Sequence, residues 1–196
     1  HRYDAISVEE AVPLKKGGEF RWSYADPFGL LQSLVRDAPC LSACFERAME
    51  QSCPSPQRPW SLAIAWDEFC PGNKLQVEPS RKIMVLSFTF LELGQGPVSG
   101  GLAWATPVVV RTTVLRQIIG GWPTLLRRFL NRILLGANGL ATSGFPLQLA
   151  SGAILPVFAR VTNLLSDGEG LRMGLDWKGH ASFKPCFRHY NVWMKD

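Results

Sequence analysis

Between Glu92 and Asp167 the chain has neither a carboxylate nor a lysine, and its cations there are Arg111, Arg116, Arg127, Arg128, Arg132 and Arg160. Histidine is scarce, with only His1, His180 and His189. A nucleophilic Cys70 would therefore need a base brought from far away in sequence. No apolar run reaches the roughly 18 residues that a spanning helix needs. The first twenty residues mix acids with apolar positions, unlike a signal peptide. The five cysteines (Cys40, Cys44, Cys53, Cys70 and Cys186) are an odd number without framework spacing, which argues against a secreted disulfide scaffold. GQGPVSGG lacks the lysine and the helix start of a phosphate loop, and no G-x-S-x-G elbow occurs. These absences lead us to expect no membrane partner, reduced thiols and a nuclear or otherwise intracellular location.

What remains is long enough for one domain with a real core plus a smaller appendage, since 46% of the 196 residues are hydrophobic. The chain opens at His1 and stops at Asp196 directly after NVWMK, which reads as a fragment. The net charge of +5 is concentrated in the acid-free middle. An all-arginine tract favours phosphate contact, because the guanidinium fork matches phosphate oxygens. The plainer alternative is a solvated helix face.

Residues 1–25 read as irregular. Asp26-Pro27 then signals a helix start, with Asp26 as the cap. A second helix begins near Pro39 and puts Leu41, Cys44, Phe45, Ala48 and Met49 on one side. Cys40 and Cys44 share a helical face, and two buried thiols explain them better than a metal. SCPSPQRPW punctuates the chain as a linker. Leu62–Trp66, Lys82–Leu93 and Ala105–Thr113 read as strands of an antiparallel meander. A short helix over Val114–Ile119 breaks at Gly120-Gly121. From Pro123 a longer helix follows, with Leu125, Leu126, Phe129, Leu130, Ile133 and Leu134 on one face and Arg127, Arg128 and Arg132 on the other. Strands over Phe145–Ala150 and Ala153–Thr162 lead to Asp167.

The order strand, strand, strand, helix, strand is the start of an RNase H-like fold. The expected class is therefore α/β (α+β). Its parts are an N-terminal helical segment and linker (1–58), an incomplete RNase H-like mixed-sheet core (59–176) and a basic, aromatic Cys/His motif (177–196). Such cores use carboxylates at strand ends to hold divalent ions for phosphoryl transfer. Strand alternation puts Ala63, Ala65 and Asp67 on one face and sends Glu68 the other way. Asp67 is the first candidate ligand for magnesium or manganese, and Asp167, after the returning strand, is its partner, with Glu169 two residues on. An acid in an ordinary turn is the bland reading of Asp167. A third carboxylate is not evident; Asp176 is the nearest. In WKGHASFKPCFRHYNV, His180, Cys186 and His189 could serve zinc, the last two at C-x-x-H spacing. Lys178, Lys184 and Arg188 alternate there with Trp177, Phe183, Phe187 and Tyr190, a mixture suited to nucleic acid. A small aromatic turn is the alternative.

WDEFCPGNKL, SRKIMVLSFTFLELG and LLSDGEGLRMGLDWKGHASFKPCFRHYNV together resemble transposase-like open reading frames that occur in many copies in some protist genomes. More distantly, they resemble transposases of the CACTA (En/Spm) superfamily. The resemblance spans Ser61 to Val192, about two thirds of the chain. It implies an RNase H-like fold with a D-D-E metal site, and DNA cutting and joining with magnesium or manganese. Asp67 takes the first catalytic place, Asp167 the second, and Cys186 falls in the terminal cysteine motif. The chain departs from the pattern where Cys186 and His189 replace C-x-x-C, and where no third acid is found. Two other expectations stand beside a transposase-like nuclease: a non-catalytic nucleic-acid-binding relic of a mobile element, and an interaction module whose arginine helix meets an acidic partner. The sequence leaves the oligomeric state open.

Overall fold

The computed structural model describes residues 6–71 and 81–175. The chain opens with a hairpin, β1 (Ser7–Pro13) and β2 (Glu19–Ala25), where irregular chain was expected. Its turn uses Gly17 and Gly18, both at positive φ (86° and 77°), a conformation that costs glycine little. The inward face of β1 carries Glu10 between Val8 and Val12, opposite Tyr24, Trp22 and Phe20. A carboxylate in the core-facing row interrupts the apolar alternation, and that hides the strand in the sequence.

Helices α1 (Pro27–Asp37) and α2 (Pro39–Gln51) follow as expected. Asp26 caps α1, its Oδ2 accepting from the Gly29 N–H at 2.9 Å. Cys44 is buried but Cys40 is exposed, because Cys40 falls in the first turn of α2 and faces outward.

The centre is a mixed four-stranded sheet. It contains β3 (Trp60–Phe69), β4 (Ile83–Phe90) and β5 (Ala105–Arg111), with β8 (Ala159–Leu165) at the far edge, in the order β5-β4-β3-β8. β3, β4 and β5 pair antiparallel, whereas β8 runs parallel to β3. A parallel return requires a long crossover. Here it comprises α4 (Thr112–Leu115), α5 (Gly121–Leu135) and a separate hairpin of β6 (Phe145–Gln148) and β7 (Ile154–Val157). The strand expected over 153–162 is thus two strands divided at Phe158, of which the second belongs to the central sheet. A short α3 (Gln95–Ser99) lies between β4 and β5, and α6 (Gly168–Gly174) ends the described chain. No described helix is long and apolar enough to cross a membrane.

One face of the sheet builds the core. Trp60, Leu62, Ile64 and Trp66 of β3 are essentially inaccessible, as are Leu86 and Phe88 of β4. Phe45, Trp60 and Phe90 meet at ring separations of 5.8 to 6.0 Å, joining α2 to the sheet. Phe129 of α5 lies 6.4 Å from Phe88. Val12 and Trp22 of the hairpin belong to the same cluster, so the first 58 residues share the core of the sheet. The opposite face is buried at Ala63 and Thr89 but accessible toward Asp67, with Val109 at 54% and Leu165 at 46% exposure.

Polar links fasten the hairpin and α1 to α5. Tyr24 donates its hydroxyl proton to Glu10 Oε1 at 2.5 Å, and Arg128 reaches Glu10 Oε2 and the Ala11 carbonyl, both at 3.1 Å. Arg132 donates twice to Asp26 Oδ1, at 2.7 and 3.0 Å. Asp26→Ala removes a helix cap and this ion pair together, and should cost about 1–2 kcal/mol in urea denaturation. Asp26→Asn, which keeps the cap acceptor, should cost less.

Burial, reinforced by the hydrogen bond to Glu10, raises the Tyr24 phenol far above its ordinary value near 10. The fold thereby favours the neutral phenol. Its contribution is complete below about pH 10 and is lost as the pH climbs beyond that. The urea midpoint of Tyr24→Phe should accordingly fall less steeply than that of the parent above about pH 10.

Candidate functional site

Asp67 is set by its strand register. The ladder with β4 continues to Phe69, so Asp67 lies within β3, paired with Val85, and not at a strand end. Its side chain is on the accessible face with Ala65, and it is exposed. On the other side of β3 the parallel ladder pairs Ala65 with Leu165. Asp67 and Asp167 each stand two residues beyond that pair, Asp67 still within β3 and Asp167 just past the end of β8. Both line one pocket of about 340 Å³ with Ala65, Trp66, Val85, Ser87, Leu165 and Ser166. The small side chains of Ala65 and Ser87 leave its floor open.

Asp167 leaves the sheet as the cap of α6, its Oδ1 accepting from the Gly170 N–H at 2.5 Å. The helix is held in place by Trp66, whose indole Nε1–H donates to the Gly170 carbonyl at 2.8 Å. A Cβ on Gly174 would stand 2.5 Å from the Trp66 ring, so this crossing needs glycine. Gly170 and Gly174, four apart, form the buried face of the helix. SDGEGLRMG carries this G-x-x-x-G spacing, the local signal of a helix packed closely on one face.

Asp67 Oδ1 accepts from the Glu68 N–H at 2.7 Å. One oxygen of each aspartate is therefore occupied by a backbone donor, and the other has no hydrogen bond among the described residues. Carboxylate oxygens are hard donors, the class that magnesium and manganese take. Among the described residues no group of three or more His, Cys, Asp and Glu side chains converges on a metal position. Glu68 turns to the opposite face and pairs with Lys82, and Glu169 pairs with Arg172 at 2.9 Å, so neither supplies a third carboxylate to the pocket.

The arginines of α5 divide. Arg128 and Arg132 are engaged by Glu10 and Asp26, whereas Arg127 is exposed with no ion pair among the described residues. Engagement by Asp26 raises the already high Arg132 pKa further, which keeps the guanidinium charged. Arg111 belongs, by sequence, to the arginine tract. The register Phe69, Ile83, Arg111 across three strands places it on the same sheet face as Asp67. Its signal was its position at the last residue of β5, which cannot be used until the register is known. Lys178, His180, Lys184, Cys186, Arg188 and His189, with Asp176, lie outside the described residues.

Comparison with family models, curated proteins and solved structures gives no match.

The two roles open to Asp167 separate by substitution. Asp167→Asn keeps a cap acceptor and should leave stability within about 0.5 kcal/mol of the parent, while Asp167→Ala should cost about 1 kcal/mol in chemical denaturation. Equal losses in the two variants would show that the cap geometry is not what holds α6.

Proposed function

We propose that this chain carries the metal-binding core of an RNase H-like, transposase-type nuclease acting on DNA. The observation that supports this reading is the parallel pairing of Ala65 with Leu165, which brings Asp67 and Asp167 to one pocket. The strand order β5-β4-β3-β8, with antiparallel pairing throughout except for the parallel β3–β8 ladder, is the arrangement expected of the first four strands of an RNase H-like core.

In this reading Asp67 and Asp167 hold magnesium or manganese through the oxygens not used by backbone donors. When bound, such an ion supplies charge stabilisation for phosphoryl transfer and lowers the pKa of a coordinated water. The chain's own part is positional. The β3 ladders fix Asp67, and Trp66 fixes Asp167 through α6. Arg111, on the same face, and Arg127 are given the phosphate contacts. Arg128 and Arg132 support them by holding the hairpin and α1 against α5. The basic, aromatic segment 177–196 adds further contacts to DNA, with zinc at Cys186, His189 and His180.

The test is Mn2+ binding to the chain by electron paramagnetic resonance, together with nicking of a labelled DNA duplex in Mg2+. Asp67→Asn and Asp167→Asn should each weaken Mn2+ binding by roughly tenfold or more, since a charge-neutral amide is a poor hard-cation ligand. They should also abolish nicking. Unchanged Mn2+ affinity in both variants sinks the metal reading. DNA binding that falls steeply with salt but gives no cleavage would favour a non-catalytic nucleic-acid-binding relic.

A further inference from the structure

Another concavity lies across β3 from the aspartate pocket. It has a volume of about 400 Å³, and its cationic walls are Lys15, Arg116 and Arg172. Helix α5 begins there, with Gly120, Gly121, Trp122 and Pro123 in the lining. No side chain caps this 15-residue helix; Gly120 is in the left-handed conformation and offers no acceptor, and Pro123 has no N–H. The Gly121 N–H already donates to the Ile118 carbonyl at 3.1 Å, so the helix start contributes chiefly the partial positive charge of its dipole.

The lining also holds an unpartnered donor: Trp122 is 2% exposed, and its indole Nε1–H has no acceptor among the described residues. A buried indole N–H normally finds a partner. The charge balance agrees. Among the described residues Glu68 is the sole acid in the lining, and it is neutralised by Lys82. The Lys15 ammonium donates to the Arg116 carbonyl at 2.8 Å, which holds it beside the opening. Arg172 shares its charge with exposed Glu169, and Arg116 has no ion pair among the described residues. Leu115 and Met173 give the pocket apolar walls, which strengthen any charge interaction inside it.

We propose that this pocket binds a phosphate group, held by Arg116, Arg172 and Lys15 at the start of α5. Arginine forks and a helix N-terminus are both matched to tetrahedral oxyanions. The site stands apart from the Asp67–Asp167 reading and needs no metal. Its phosphate comes either from a nucleic-acid backbone or from a free phosphate.

Inorganic phosphate is titrated into the full chain without divalent metal, at constant ionic strength set with chloride, and followed by thermal melting and 31P line broadening. A ligand that binds the folded state raises the melting temperature saturably. The parent, Arg160→Gln and Asp67→Asn should show the same saturable rise. The double variant Arg116→Gln/Arg172→Gln should bind phosphate about tenfold more weakly or worse, a loss of one decade or more in Kd. If the double variant does not fold, Lys15→Gln, on another element, should show a partial loss. No saturable rise in the parent, or an unchanged midpoint in the variants lacking these cations, overturns the proposal. A short single-stranded DNA added in competition identifies the source. Displacement of phosphate supports a backbone phosphate in the pocket, and saturable phosphate binding without displacement supports a free phosphate. Because Asp67→Asn is expected to bind phosphate normally, failure here and failure of the metal reading are distinguishable.

Discussion

The parallel ladder between β3 and β8 is the constraint on which the rest depends. Antiparallel neighbours can be joined by a tight turn, but a parallel neighbour has to be reached by a crossover that packs on the sheet. All the chain from Thr112 to Phe158 serves that return, and α5 covers the core face of the sheet while making it. The ladder also fixes register. Since a one-residue slip turns every side chain to the other face, pairing Ala65 with Leu165 determines that Asp67 and Asp167 share a pocket. Trp66 adds the last restraint by joining the sheet to α6 through a buried hydrogen bond and a contact that admits only glycine.

The charged residues follow from the same packing. The hairpin lays a carboxylate, Glu10, toward the core side, where an unpaired charge would be costly. Tyr24 and Arg128 satisfy it, and Arg132 does the same for Asp26. A stretch without acids can therefore still be bound up in ion pairs, because its partners come from the first 26 residues. Each such pair is partly exposed and is worth little by itself. Its larger effect is orientation: two guanidinium groups hold the hairpin and the start of α1 at fixed places along α5.

Much of this was legible where local chemistry decides. Asp26-Pro27 marked α1, and the three- and four-residue apolar steps from Leu125 to Ile133 marked α5, since burial on one face sets that period. β3, β4 and β5 were visible through their runs of β-branched and aromatic residues, although β3 reaches Phe69 and not Trp66. The hairpin was hidden by Glu10, an inward acid whose partners lie far away in sequence. Phe158 divided an apparently continuous strand because β7 and β8 belong to different sheets, which no local pattern encodes. At the candidate site the pairing of Asp67 with Asp167 was read from element order. The placement of Arg111 and the engagement of Arg128 and Arg132 required the sheet register and the three-dimensional partners.

The adjacent acids of β3 show how one strand can serve two faces. Because successive side chains alternate across a sheet, Asp67 and Glu68 cannot act in the same place. Asp67 enters the pocket it shares with Asp167, and Glu68 enters the pocket at the start of α5, where Lys82 neutralises it. The same division recurs in α6. Its cap, Asp167, belongs to the first pocket, while Arg172 and Met173 line the second. The two pockets therefore differ in sign, with two aspartates lining the one and Lys15, Arg116 and Arg172 lining the other. A displacement of α6 would change both at once. Trp66, fixed in the core and bonded to Gly170, resists that displacement and couples the geometry of the two sites.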